Sequence, residues 1–389
     1  MSTPTKTPAP AAAGAASAGG VAGAVGAAGA GSASRPGRLA EEYAALRRGC
    51  GLAARSSADG ADTMEMIGPD RHRFLNAYVT CEIKGLAAGQ GTYGFFTSAQ
   101  GRILADVVVL AHADRFWLEL PPGRQEPIAE HLRKYLIADR VEMRPLGGAL
   151  PLTLAGPGAE AVLAGAEIAP GFELPREPWA HARTVVAGVE IVVQRTGRLG
   201  VPALTLWMPA AQVEPLRERL LAGPAGPAGH GGGEHERPVP VGSEALEVVR
   251  TEAGLPRFGQ DFGPQNFPQE TGATAAAVSF TKGCYLGQEV VARIHYRGGV
   301  QKTLCGLVFD GPAVPEPGTA LLFEGREAGI VGTAVHSLAL DRPIGLAILH
   351  RRAAAPGSRL ELAGGGPAEV RALPLVGPGR TETAGSDGE

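Results

Sequence analysis

A chain of 389 residues with 44% hydrophobic content is long enough for two or three domains, each burying a core without metal or disulfide staples. Its 36 Lys and Arg against 39 Asp and Glu, a formal net charge of −3, supply no broad positive field and argue against direct, sequence-independent binding to nucleic acid. No apolar run approaches the roughly 20 residues of a membrane-spanning helix, and the N-terminus lacks the continuous apolar stretch of a secretory signal, so no membrane association is expected. Cys50, Cys81, Cys284 and Cys305 lie far apart, with no C-x-x-C pair and no zinc-like spacing. Reduced thiols in a cytoplasmic protein, and no metal site, are the expectation.

Residues 1–37 are mostly Ala, Gly, Ser and Pro with little charge, and read as a disordered tail whose glycines carry a high ordering entropy. Folded sequence is expected from residue 38, where Leu39, Tyr43, Leu46 and Leu52 bring helical spacing of larger apolar residues. A strand over 62–68 leads through Gly68-Pro69-Asp70 into a helix carrying Phe74, Leu75 and Val79. Strands at 91–97, 102–110 and 115–120 then read as an antiparallel meander.

A helix over 126–137 is followed by strands at 140–146 and 150–155. Residues 184–186 and 189–193 flank Ala187-Gly188 as a hairpin, and a strand at 201–207 precedes a helix at 211–221. Gly- and Pro-rich residues 222–238 contain His230 and His235. They read as a flexible insertion rather than a metal site, because only two imidazoles are present and nothing rigid holds them. From 301 the texture changes to short strands between Gly and Pro, at 303–309, 320–323, 328–336, 344–349 and 360–362. A small β-barrel over 301–377 is expected, with a loose tail at 378–389. This mixing of elements argues for an α+β protein.

In Thr281-Lys282-Gly283-Cys284-Tyr285, glycine frees the backbone to turn, and the following Leu286, Val290 and Ile294 have helical spacing. Cys284 is therefore expected near a helix N-terminus, where the helix end and the Lys282 ammonium both favour a thiolate. Two readings stand: a reactive thiol, or a small buried side chain.

The stretch Lys282-Gly283-Cys284-Tyr285-Leu286-Gly287-Gln288-Glu289 resembles the K-G-C-Y-x-G-Q-E signature of the YgfZ family, relatives of the glycine-cleavage aminomethyltransferase, at every specified position. Arg250 through Asp261, then Pro268 and Glu270, is similar to a segment shared with aminomethyltransferases. So are Gly68-Pro69-Asp70-Arg71 through Phe74-Leu75 and Gly101-Arg102-Ile103-Leu104-Ala105-Asp106. The resemblance covers residues 38–375 apart from the insertion. It implies two intertwined folate-binding subdomains over 38–300, capped by the barrel, with tetrahydrofolate in a central cleft. It also implies a role in assembling or repairing iron–sulfur clusters of client enzymes, including those that modify tRNA, with Lys282 and Cys284 at the working surface.

A reduced folate asks for a carboxylate to receive pterin N–H groups and for Arg or Lys at its anionic glutamate tail. The resemblance puts Glu252 at the pterin; its plainer reading is an exposed charge near a helix end marked by Gly254. Arg293 is the candidate for the tail carboxylates, or else an ion-pair partner of Glu289 four residues before it. Tyr285 joins the cofactor-binding set. Asp106 falls where the resemblance places a catalytic aspartate near the reacting folate nitrogen, although Ala105 stands where the aminomethyltransferase pattern has a second aspartate. Tyr93-Gly94-Phe95-Phe96 reads as a pterin face or as alternating core. The alternatives to iron–sulfur maintenance are a tetrahydrofolate-dependent aminomethyl- or methyltransferase, in which Asp106 assists, and a non-catalytic scaffold for protein partners.

Overall fold

The computed structural model describes residues 36–54, 62–223 and 237–377. Of the tails expected at 1–37 and 378–389, residues 1–35 and 378–389 lie outside the described residues, as do the insertion histidines His230 and His235, whereas residues 36 and 37 open helix Pro36–Arg48. Period-2 alternation builds the first layer. Strands Gly91–Thr97, Ile103–Ala111, Arg115–Leu120, Asp62–Ile67 and Glu142–Pro145 pair antiparallel, in that spatial order, into a five-stranded sheet. One face, with Met64, Met66, Phe96, Val107, Val109, Phe116 and Leu118, is buried under Phe74, Leu75, Ile128 and Leu132 from helices Arg71–Asn76 and Gln125–Arg133.

A six-stranded sheet has the order Val239–Pro240, Gly51–Ala54, Ala149–Ala155, Ala203–Pro209, Val189–Thr196, His181–Val186. Its pairs are antiparallel except the short parallel contact of Gly51 and Leu52 with Val239 and Pro240. Leu52, Leu152, Leu154, Val193, Leu204 and Leu206 form one buried face with Val162, Leu163, Leu216 and Leu220 of helices Ala159–Ala164 and Ala210–Ala222. The other face meets the first sheet: Val108, Leu110 and Trp117 pack on Val192 and Trp207.

The two subdomains are intertwined, as the family resemblance implies. Gly51–Ala54 belongs to the six-stranded sheet, residues 62–145 build the five-stranded one, and the chain then returns. Helix Ser243–Glu252 packs Ala245 and Val249 against Ala53, Ala155 and Ala203 of the six-stranded sheet. Phe258, Phe262, Ala277, Val278 and Val291 then cross to Phe95 and Ile103 of the other. The C-terminal part is a seven-stranded antiparallel sheet in the order Arg326–Ile330, Ala320–Phe323, Arg359–Leu362, Pro367–Arg371, Lys302–Phe309, Arg342–His350, Ala334–Ser337. It wraps a core of Leu307, Phe309, Leu321, Leu349, Leu360 and Val370.

Three local outcomes differ from the periodicity. The helix after Asp70 stops at Asn76, because Val79 bridges to Phe96 and Thr80 N–H donates to the Phe95 carbonyl at 3.0 Å. Residues 328–336 form the ends of two strands rather than one. Between them Thr333 N–H donates to Asp261 Oδ1 at 2.7 Å, and Gly332 lies so close that a Cβ would stand 2.6 Å from that oxygen. Helix Ala159–Ala164 is too short and too rich in alanine to leave a periodic signal.

Candidate functional site

Asp106 points from Ile103–Ala111 toward the six-stranded sheet and is fully buried. Phe95 is its cross-strand partner, which places Tyr93, two residues away, on the same face. Tyr93 Oη donates to Asp106 Oδ2 at 3.0 Å, and Arg198 Nη2 donates to the same oxygen at 2.6 Å. Oδ1 has no hydrogen-bond partner among the described residues. Burial, with the Asp106 charge beside it, pushes the Tyr93 phenol well above its usual pKa, so it stays a donor. Burial opposes the Arg198 charge, but Asp106, Tyr93 and Glu119 together raise its pKa.

The loop that carries Arg198 is pinned by packing. Gly200 sits at φ 75° with room for no side chain, since a Cβ would lie 2.4 Å from that of Ala253. Arg198 lies over the Tyr93 ring at 5.5 Å, and Trp179 stacks on the same tyrosine with centroids 5.8 Å apart. Trp179 itself has φ 65°, a left-handed conformation that a bulky residue rarely adopts and that concentrates at binding sites. A buried carboxylate, a cation and two flat rings thus converge at one end of the layer between the sheets.

Further along that layer, Gln194 Nε2 donates to Glu119 Oε1 at 2.6 Å and Trp207 Nε1 donates to Gln194 Oε1 at 2.7 Å. At the far end His112 and His181 lie with ring centroids 4.5 Å apart, both buried, and Trp117 packs on His112 at 4.3 Å. His112 Nε2 and His181 Nδ1 have no partner among the described residues. Burial, then the neighbouring His181, Arg183 and Arg115, pushes His112 down to about 3. Burial pushes His181 down to about 4 against the pull of backbone hydrogen bonds. Both imidazoles are neutral at ordinary pH. Among the described residues no group of three or more His, Cys, Asp or Glu is placed to hold a metal ion.

Glu252, expected at a pterin, is engaged by groups of the protein itself. It is fully buried at the end of Ser243–Glu252, and both carboxylate oxygens are engaged. Tyr43 Oη, at 2.8 Å, and the Arg47 guanidinium bind Oε2, while Ser337 Oγ, at 2.6 Å, and Ala339 N–H, at 3.4 Å, bind Oε1. The carboxylate joins helix Pro36–Arg48 to the loop after Ala334–Ser337, so it is not an exposed helix charge. Tyr43 is raised to about 12 by burial and by its bond to Glu252. Arg250 nearby binds Asp261 at 3.0 Å, Glu247 at 2.8 Å and Thr333 Oγ1 at 2.7 Å, so this segment fastens the seven-stranded sheet.

Lys282 is also placed differently from expectation. Its Nζ donates to the carbonyls of Asn76, Val79 and Cys81 at 2.8, 2.8 and 2.6 Å, and burial lowers its pKa to about 8. With all three N–H bonds directed at backbone, it clamps its segment to the 76–81 loop rather than facing solvent beside Cys284. Cys284 is exposed, and helix Gln288–Arg297 starts four residues later behind a left-handed Gly287, so the thiol lies upstream of the first turn. Tyr285 is buried, pushed up to about 12 by that burial, with no partner for its hydroxyl among the described residues. Arg293 is exposed and forms no ion pair with Glu289. The geometry brings Asp106 together with Tyr93, Arg198 and Trp179, none of which is a hydrogen-bond partner of Glu252. Period-2 alternation alone puts Tyr93 and Asp106 on one face; no sequence signal marks Arg198 or Trp179.

Residues 32–282 match the family model described as the GCVT N-terminal domain, and residues 302–376 match the glycine cleavage T-protein C-terminal barrel domain. An aminomethyltransferase of Rubrobacter xylanophilus is 28% identical over 286 residues, 72% of this chain and 71% of that protein. A tRNA-modifying protein YgfZ of Cronobacter sakazakii is 29% identical over 282 residues, 71% of this chain and 78% of that one. The crystal structure of the glycine cleavage system aminomethyltransferase T from Bartonella henselae shares the fold, with a TM-score of 0.75, 23% identity, and coverage of 87% of this chain and 90% of that one. With one family model spanning its paired sheets and a second its C-terminal sheet, the chain belongs to the glycine cleavage T-protein family.

Proposed function

We propose that this chain binds a reduced folate between its five- and six-stranded sheets and serves iron–sulfur cluster assembly or repair in client enzymes, tRNA-modifying enzymes among them. The observation that carries the folate reading is Asp106: fully buried, one oxygen held by Tyr93 and Arg198, the other without a donor. Leaving a buried acceptor unpaired costs about 1–3 kcal/mol, which a ligand N–H offsets. Reduced folates carry such groups on the pterin ring and on the nitrogen that links it to the benzoyl unit. The rings of Tyr93 and Trp179 supply flat apolar surface beside the carboxylate. Asp106 therefore accepts, Tyr93 and Arg198 hold it in place, and the aromatic pair excludes water. Arg293, exposed on Gln288–Arg297, is the candidate for the anionic tail.

Tetrahydrofolate, when bound, supplies secondary amine nitrogens able to carry one-carbon units. Cys284 stands outside the cleft on an exposed turn that the Lys282 clamp holds rigid, which suits contact with a protein client. We assign this work to a reducing cytoplasm. All four cysteines are free thiols, and among the described residues no helix is long and apolar enough to cross a membrane. The aminomethyltransferase relatives favour a second reading, one-carbon transfer. Against it, the Asp106 carboxylate is tied to Arg198 and Ala105 stands beside it.

Calorimetric titration with tetrahydrofolate tests the first reading. The wild type is expected to bind, and Asp106→Ala to bind at least about tenfold more weakly, for the loss of a charge-assisted hydrogen bond. Equal binding by the two proteins refutes the placement at Asp106, and no binding by the wild type refutes the folate reading. Release of a folate product from aminomethyl-lipoyl carrier protein favours transfer chemistry. Loss of iron–sulfur enzyme activities in a deletion strain, without such release, favours maintenance.

A further inference from the structure

The formal charge of −3 excludes a broad positive field but not a local one, and it is unevenly spread. Residues 290–309 and 342–360 contain no Asp or Glu, and the fold lays them side by side. Strand Lys302–Phe309 pairs with Arg342–His350 so that Lys302 and His350 are register partners, and Arg351 N–H donates to the Gln301 carbonyl at 2.8 Å. Helix Gln288–Arg297 is seated at the same end, since Val291, Phe280 and Ile348 belong to one apolar cluster and Ile348 stands two residues before His350. Arg297, Lys302, Arg351 and Arg352 are all exposed there. Arg47, Arg115, Arg198 and Arg250 each have a carboxylate partner, whereas none of these four forms an ion pair among the described residues. Arg352 meets Glu327 only through that residue's carbonyl, at 3.1 Å. Tyr296 projects beside them. It is 71% exposed, the only exposed Phe, Tyr or Trp among the described residues. His295 braces it edge-on at 5.0 Å and itself stacks on Phe280 at 3.8 Å.

We infer that this face, formed by the end of Gln288–Arg297 and the Gln301–Arg351 junction, is a docking surface for a single-stranded segment of RNA. Guanidinium groups present forked donors that match phosphate oxygens, and cations without an anion of their own are free to take up that role. An exposed tyrosine held from behind by other rings offers a face on which an unpaired base stacks. An acidic peptide would use the cations and leave the ring idle. A lipid surface would ask for a row of large apolar side chains, where this face projects one tyrosine. The choice of RNA over DNA rests on the proposed service to tRNA-modifying enzymes, whose substrate is RNA. Arg293, one helical turn before Arg297, stays assigned to the folate tail and is not counted in this surface.

The test follows the fluorescence anisotropy of a labelled uridine-rich RNA of about 12 nucleotides, a length suited to one such surface. It is titrated with the full chain and with Tyr296→Ala, Tyr296→Phe, the pair Arg297→Gln with Lys302→Gln, and the pair Arg351→Gln with Arg352→Gln, each checked for folding by its melting curve. The wild type is expected to bind with a Kd of about 1–100 μM near physiological salt. Tyr296→Ala should weaken binding about tenfold while Tyr296→Phe keeps it, because the ring does the stacking. Each double variant should reduce the slope of log K against log salt by about 1.4, for two phosphate contacts at about 0.7 each on a single strand. The deoxy oligonucleotide of the same length and poly-L-glutamate are the comparison probes. DNA bound as tightly as RNA overturns the assignment to RNA, and poly-L-glutamate bound as tightly makes the face a dock for acidic protein and overturns it too. So does a wild type that binds no RNA, or a salt slope unmoved in both double variants. Tetrahydrofolate titration of the same proteins should be unchanged, and client activities in the deletion strain are read separately. Loss of the RNA result alone therefore refutes this surface, whereas loss of either of the others refutes the reading it rests on.

Discussion

Asp106 and Glu252 are both fully buried carboxylates, each paired with an arginine and a tyrosine, yet they sit in regions of opposite character. Both Glu252 carboxylate oxygens are engaged, and nearby Arg250 and Asp261 bind one another and Thr333, although the Thr251 hydroxyl beside them is buried without a partner among the described residues. In the layer between the sheets, Asp106 Oδ1, His112 Nε2 and His181 Nδ1 are all buried without a partner among the described residues. Native interiors seldom leave such atoms alone. A saturated network behaves as a joint, and an unsaturated one has capacity left for a ligand. Burial and charge type do not distinguish the two; the count of remaining lone pairs does.

The largest expected effect falls on the joint. Glu252→Ala leaves the nearly buried Arg47 without its anion and strands Tyr43 and Ser337, so chemical denaturation should show a loss of about 3–5 kcal/mol. A loss below about 1 kcal/mol would break the contrast between the regions. Next comes acid sensitivity of the unsaturated layer. An unfolded imidazole binds a proton near pH 6.5, whereas His112 and His181 in the fold resist protonation down to about 3 and about 4. Their folded pKa values are depressed, so stability is intact above pH 6.5 and declines as pH falls toward those values. Each contributes a slope of about 1.4 kcal/mol per pH unit. Between pH 6.5 and 5, before most carboxylates titrate, His112→Phe or His181→Gln should flatten the decline; an unchanged slope would mean that the pair is not what makes the layer acid-sensitive.

Asp106→Asn should alter stability by only about 1 kcal/mol, since the amide keeps the shape and one acceptor, while folate affinity falls more than that. A melting loss as large as that of Glu252→Ala would make Asp106 a second joint. The smallest effect on folding belongs to Cys284→Ser, within about 0.5 kcal/mol because the side chain is exposed. Folate binding should persist while iron–sulfur enzyme activities fail to recover in a deletion strain. A thiol-specific alkylator at neutral pH should label one cysteine per native chain. Burial shields the other three and raises them, Cys50 to about 12 and Cys81 and Cys305 to about 11. Full complementation by Cys284→Ser would leave the exposed turn with a purely structural role.

Much of the framework was legible along the chain. Gly91–Thr97 and Arg115–Leu120 appear at the boundaries their alternation predicts. For Lys282 and Glu252 the sequence did not show the contacts that the fold gives them. The same short motif that exposes Cys284 turns the ammonium of Lys282 inward onto three carbonyls of residues 76–81. Nothing in Lys-Gly-Cys-Tyr specifies that the neighbouring loop will offer them.

By itself the sequence determined most of the local elements and the α+β class. These depend on side-chain period and turn residues acting between near neighbours. Only the tertiary structure decided which carboxylate is spent on the fold and which stays open. The partners of Glu252 come from 209, 205, 87 and 85 positions away, and Arg198 reaches Asp106 across 92. A carboxylate in a linear chain has the same lone pairs wherever it stands; how many are left over depends on which distant donors packing brings within about 3 Å.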